Sequence, residues 1–212
     1  MTKLDFKKTD KPYYAAGRKE WERLTVPEMS FLMIDGVGDP NGPAYGAALA
    51  ALYPLAYGAK FALKARGRDF VVPPLEALWW AEDMRAFVSG DRATWQWTAM
   101  LRMPNDLSQT EFEAVRETVL TKQAKKKGGV APELLNAVRL DRFDEGDCLQ
   151  HLHLGSYADE APVLADLHDN VMHAQGLTFA GHHHEIYLSD PRRVAPEKLR
   201  TILRQPVKPI EG

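Results

Sequence analysis

Cysteine is nearly missing from this chain: Cys148 stands alone among 212 residues. That excludes an intramolecular disulfide framework and every CxxC metal or redox motif, and it fits a reducing compartment. An excess of either charge is missing too. With 27 Lys+Arg against 29 Asp+Glu the net charge is −2, which gives no electrostatic reason for direct nucleic-acid binding. Long apolar runs are also scarce. Met1 to Asp10 has no apolar core of a secretory signal. The richest stretch, Ala44 to Ala65, is broken by Pro54, Gly58 and Lys60, short of the roughly 18 unbroken apolar residues of a membrane span. No GxSxG elbow, GxxxxGK[ST] loop or complete GxGxxG fingerprint occurs, so no cofactor is implied. The expectation is a cytoplasmic globular protein that partners neither membrane nor nucleic acid.

What the sequence does have is aromatic residues, with four of its five Trp between Trp79 and Trp97. Aromatics usually fill cores, so the cluster informs about function only where several share one sheet face. Residues 1–28 read as an irregular arm ending at Val26-Pro27. Glu28 to Asp35 reads as a strand before the turn at Gly36-Val-Gly38. Leu49, Tyr53, Tyr57 and Phe61 then repeat at helical spacing, beside a ridge of Leu52, Leu55, Ala59 and Leu63; Pro54 should kink that helix or displace its start. Strands follow from Leu75 and over Asp91 to Met103. Thr110 to Lys127 is a helix ending in a basic run and Gly128-Gly129.

The second half repeats strand, glycine turn, helix, glycine, strand. Nine residues separate Gly67 from Glu76, and nine separate Gly176 from Glu185. The spacing predicts an α+β fold of two related modules, 29–103 and 137–212, joined by a helical connection over 104–136. His182 to Ser189 is the expected closing strand, with a short helix around Glu197 to Leu203. Helices should cover one sheet face and leave a groove on the other.

Glu185 is the leading candidate for chemistry. The two-residue period of a strand puts it on a face with His183 and Tyr187. It is either a solvated strand glutamate or a groove carboxylate able to act as a base or hold a cation. Its repeat mate Glu76 shares a face with Leu78 and Trp80, so Trp80 is expected in the groove and Trp79 under a helix. Trp97 and Tyr57 add flat surfaces, and His153 shares a face with Tyr157. A zinc site from His182, His183, His184, His151 and His153 is disfavoured, because strand alternation turns His183 away from its neighbours.

Three segments carry a resemblance: His153-Leu-Gly-Ser-Tyr157 with Asp159-Glu160, His184-Glu-Ile-Tyr-Leu-Ser-Asp190, and Pro74-Leu-Glu-Ala-Leu-Trp79. With Thr98 to Arg102 and Leu52 to Tyr57, they resemble the long stand-alone branch of the GyrI-like small-molecule-binding family over nearly the whole chain. The resemblance implies two βαββ (SHS2-type) modules related by a pseudo-twofold, with antiparallel sheets and a ligand groove between them. It also implies a groove glutamate at Glu185, planar aromatic ligands, and, from some stand-alone members, hydrolysis of cyclopropanoid DNA-alkylating compounds. Tyr57 or His153 would then donate to the charge that develops, while Glu76, Trp79, Trp80, Trp97, Tyr157, His183 and Tyr187 line the ligand. The alternative is a protein that sequesters or senses drugs without altering them.

Overall fold

The computed structural model describes residues 3–82 and 92–210. Two helical turns, α1 (Phe6–Thr9) and α2 (Lys11–Tyr14), precede the strands β1 (Glu22–Val26) and β2 (Met29–Val37). Helix α3 (Pro43–Ala65) leads to β3 (Glu76–Trp80) and β4 (Gln96–Met103). Next come α4 (Gln109–Ala124), α5 (Pro132–Ala137), β5 (Arg139–Phe143) and β6 (Gly146–Leu154). A helical segment of α6 (Ala161–Asp166), a π turn (Leu167–Val171) and α7 (Met172–Ala174) leads to β7 (Leu177–Phe179), β8 (His183–Tyr187) and β9 (Arg200–Pro209).

The fold is α+β around one antiparallel sheet in the order β1-β6-β9-β8-β3-β4-β2-β5, with β7 added on β9. Outward from the β3–β8 seam, one side runs β4, β2, β5 and the other β9, β6, β1. The outer strands are exchanged: β1 precedes β2 in the chain but pairs with β6, and β5 precedes β6 but pairs with β2. The two halves therefore share one sheet and cannot separate without breaking strand ladders.

Helix α3 runs unbroken through Pro54, so the expected displacement does not occur. The carbonyl that loses its partner belongs to Ala50, which is exposed and can bond to water instead. Helix α3 is long and apolar enough to cross a membrane, but here Ala48, Leu52, Leu55, Ala59 and Leu63 are buried in the main core. A side chain at Gly58 would press on Val115 and Val119 of α4, so glycine sets how closely these helices pack. Ser108 and Glu111 form a reciprocal capping box that starts α4, a device worth about 1 kcal/mol.

Two expectations about the ends are corrected. The N-terminal arm is not irregular. It supplies edge strand β1, and α1 and α2 pack on the sheet face opposite α3, where Tyr14 donates to Glu76 (2.9 Å) and Arg102 pairs with Asp10 (3.1 Å). At the other end, 197–203 is not a helix, and β8 does not close the sheet. A single 3-10 turn (Pro196–Lys198) precedes β9, which lies between β6 and β8 and is buried from Thr201 to Val207. Burial on both faces removes the alternation by which sequence marks a strand. The strand expected from Asp91 starts at Gln96; Asp91 itself lies outside the described residues.

Beneath the seam lies a buried ionic network. His184 donates from Nδ1 to Glu145 (2.8 Å), and its Nε2 stands 3.1 Å from Glu76. Arg204 donates to the other Glu145 oxygen (3.0 Å), to Gln150 (3.1 Å) and to the Tyr13 carbonyl (2.6 Å). Burial alone would depress His184, but Glu145 and Glu76 outweigh it and hold the imidazole up at about 8. Burial would raise Glu145, but His184 and Arg204 bring it down to about 2.

Breaking such a pair leaves charge unmatched in the core, so Glu145→Gln should cost about 3–5 kcal/mol in urea unfolding. The network also predicts a pH window. Because His184 is raised when folded, its contribution is complete below about 6.5 and disappears as pH rises through 8. Urea midpoints measured across that window should fall by the equivalent of about 2 kcal/mol. A flat profile through pH 6–9 would mean the folded protein does not raise His184.

Candidate functional site

The register at the seam decides which side chains meet. Ala77 faces Glu185 and Leu78 faces His184 across the β3–β8 ladder. Glu185 therefore points to the α3 face with Trp79, while His184 points down with Leu78 into the ionic network. Glu76, opposite Ile186, is on the lower face as well. This corrects two expectations. The aromatic side chains around Glu185 lie on the face that carries α3 and the 157–174 segment, not on the opposite one. Glu76 is no partner of Glu185: equal spacing from the preceding glycine does not ensure equal parity in the ladder.

Around Glu185 the structure gathers aromatic residues from four elements. Tyr45 comes from α3, Trp79 from β3, Tyr187 from β8, and Tyr157 from the 3-10 turn Tyr157–Asp159. The Trp79 indole donates to the Tyr187 hydroxyl (2.9 Å). Tyr45 lies 5.6 Å from Trp79 and meets Trp97 edge-on at 4.9 Å. Tyr157 meets Tyr187 edge-on at 5.7 Å. Burial and the charge of Glu185 together push Tyr157 up to about 12 and raise Tyr45 and Tyr187 further. These phenols keep their protons in the physiological range and can act only as neutral donors or acceptors.

The other expected residues divide. His183 is beside Glu185, 3.6 Å from its carboxylate, and neither of its ring nitrogens has a partner. Trp97 is buried behind Tyr45 and forms the floor of the cluster rather than an exposed stacking surface. Trp80 is on the lower face, stacked on His182 at 4.2 Å, so strand parity excludes it from the Glu185 cluster. Tyr57 is 46% exposed on α3 and pairs with Phe61, one turn beyond Tyr53. His153 is buried, and its Nε2 donates to the Ser156 carbonyl (3.1 Å), so it anchors the turn that carries Tyr157. Among the described residues no three His, Cys, Asp or Glu side chains converge for a metal ion.

Sequence reasoning missed Glu160. It follows the Ser156–Asp159 capping box and is 4% exposed, and its Oε1 has no partner. Burial, then the charge of Glu185, pushes it up to about 10; the Thr201 hydroxyl beside it offsets only part of that. Burial and the negative charge of Glu185 thus both favour the protonated form of Glu160. In sequence Asp159-Glu160 enters only as part of a segment that carries the resemblance, with no role of its own.

A family model for GyrI-like small-molecule-binding domains matches residues 20–208. The chain belongs to the GyrI-like family. A conserved protein from Listeria innocua, not functionally characterised, is 41% identical, with 97% of this chain and 100% of that one covered at a TM-score of 0.87. A hydrolase from Listeria innocua is 40% identical, covering 98% and 100% at a TM-score of 0.83. The EcmrR C-terminal domain, 10% identical with 90% and 98% covered at a TM-score of 0.54, shares the fold alone. No functionally curated protein matches the chain significantly. As a GyrI-like domain, the chain has a small-molecule ligand to seat.

Packing under this GyrI-like cluster gives a stability prediction. Gly36 faces Trp97 across the β2–β4 ladder, and a methyl there would overlap the indole ring. Gly36→Ala should therefore cost about 1–3 kcal/mol through overpacking and displace Trp97 toward Tyr45. Urea unfolding together with near-UV circular dichroism would show both effects. An unchanged near-UV spectrum would mean Trp97 has room to move away from Tyr45.

Proposed function

We propose that this GyrI-like domain binds planar aromatic compounds in the Glu185 groove and hydrolyses cyclopropanoid alkylating agents by Glu185-assisted attack of water. One observation carries the reading: an acidic side chain, 14% exposed, set among Tyr45, Tyr157 and Tyr187 with Trp79 behind them. Aromatic walls favour flat ligands, at about 0.5–1.5 kcal/mol per ring contact beyond area burial. Two Listeria relatives described as hydrolases, 39% and 40% identical to this chain, favour turnover over sequestration.

In a cyclopropane conjugated to a dienone, water must reach the strained methylene as charge moves to the carbonyl oxygen. Glu185 accepts the water's proton as the carbon–oxygen bond forms. His183 sits beside the carboxylate and can hold it in line. Tyr57 and His153 are poorly placed to donate to the developing phenolate: Tyr57 stands at the solvent side of α3, and His153 is already bonded to Ser156. Tyr45 and Tyr157 are nearer to Glu185 and keep their protons.

The second reading is a protein that only sequesters its ligand, and the shared family favours it. Mass spectrometry of a cyclopropanoid incubated with the protein separates the two. The hydrolase produces the water adduct faster than buffer does, and Glu185→Gln lowers that rate by about 10²–10⁴-fold while a neutral ligand still binds. Ligand recovered unchanged would leave the sequestering protein. Wild-type turnover in Glu185→Gln would remove Glu185 as the base.

A further inference from the structure

The cluster around Glu185 holds more unpartnered polar atoms than a set of aromatic walls requires. Besides both ring nitrogens of His183, they include the Tyr45 hydroxyl and, beside one another, the Thr201 hydroxyl and Glu160 Oε1. Buried polar atoms are almost always hydrogen-bonded in native proteins. A group of them around one carboxylate is what remains when the natural partner is a ligand. Most of these atoms are donors, and Glu185 already supplies the acceptor. The missing partner is therefore an acceptor, an oxygen.

The geometry points to Glu160 as a second catalytic carboxyl, the proton-bearing group that donates to the ligand oxygen on which charge develops. This rests on the hydrolase reading above and adds the acid to its base. Glu160 is fixed by the turn it follows: its amide bonds to the Tyr157 carbonyl (3.4 Å), and its own carbonyl accepts from Val163 and Leu164 (3.0 Å each). The groups facing it are Glu185 on β8, Tyr157 on its own turn, and Thr201 on β9. The charge among them is negative, so the proton stays on Glu160.

The step balances without an added reagent. Water's oxygen bonds to the methylene carbon while one of its O–H bonds breaks, and that proton passes to Glu185. The cyclopropane C–C bond breaks, and its electron pair moves through the dienone to the carbonyl oxygen. That oxygen takes the proton of Glu160 and becomes a phenol. Glu185 now carries a proton and Glu160 a charge; returning the proton from the first to the second restores the site. A neutral acid and a charged base held close together are what environment-driven separation of two carboxyls provides.

Glu160→Gln tests this, because an amide copies the shape of the neutral acid but has no proton to transfer. In infrared spectra at neutral pH, the wild-type protein should show the carbonyl band of a protonated carboxyl, and Glu160→Gln should lack it. A cross-conjugated dienone without the cyclopropane serves as an unreactive probe, and binding it should shift that band. With a cyclopropanoid, kcat should fall by about 10²–10³-fold with little change in probe affinity. The wild-type rate should decline as pH rises through about 10, a limb that the variant lacks. If no band is lost in Glu160→Gln, or if the variant turns over at the wild-type rate, the assignment is wrong. If even wild type fails to open the ring, the hydrolase reading falls separately and the band decides. A shift with the dienone keeps Glu160 as donor to a ligand oxygen, and no shift overturns it.

Discussion

His184 is held between Glu76 and Glu145 beneath the seam, and Glu145 is held in turn by Arg204. Through these contacts the N-terminal arm, the β5–β6 turn and the last strand are tied to the strand that carries Glu185. Because successive strand residues point to opposite faces, fixing His184 below fixes the direction of Glu185 above. The network is poor as a source of net stability, since desolvating the ions offsets much of their attraction. Its value lies in register. Slipping β8 by one residue would put Glu185 into the network and His184 among the aromatics, leaving both faces wrong.

The upper face uses the opposite electrostatic strategy. Below, each carboxylate has a cation within hydrogen-bonding distance, and Glu145 falls to about 2. Above, Glu160 is buried near another carboxylate and rises to about 10. The same type of side chain is pushed toward the ion on one face and toward the neutral acid on the other, about 15 residues apart in sequence. Three tyrosines, raised first by burial and then by the charge of Glu185, gather around that carboxylate.

Much of this arrangement was legible in the sequence, for identifiable reasons. The α3 ridge, the face shared by His183, Glu185 and Tyr187, and the split between Trp79 and Trp80 all follow from local periodicity, which needs no tertiary information. The assignment of faces was not legible. Whether Trp79 or Trp80 shares Glu185's face depends on the β3–β8 register, a contact between residues over 100 positions apart. Strand β9 was hidden because both its faces are buried. The arm was hidden because its partners, Glu76, Gln150 and Arg204, lie far along the chain.

Glu160 shows the limit most clearly. Nothing in Asp159-Glu160-Ala161-Pro162 separates a solvated first-turn glutamate from a buried acid, and acidic residues are common at that position because the helix dipole favours them. Here the capping role falls to Asp159, which accepts from Ser156 Oγ (2.7 Å), leaving the adjacent Glu160 free to turn inward. The turn is short, and His153 pins it from below through the Ser156 carbonyl. Consecutive residues therefore divide the work of closing the turn and facing Glu185. His153, expected to touch the ligand, acts on the site through this turn: it positions both Tyr157 and Glu160, the aromatic and acidic groups that face Glu185 from above.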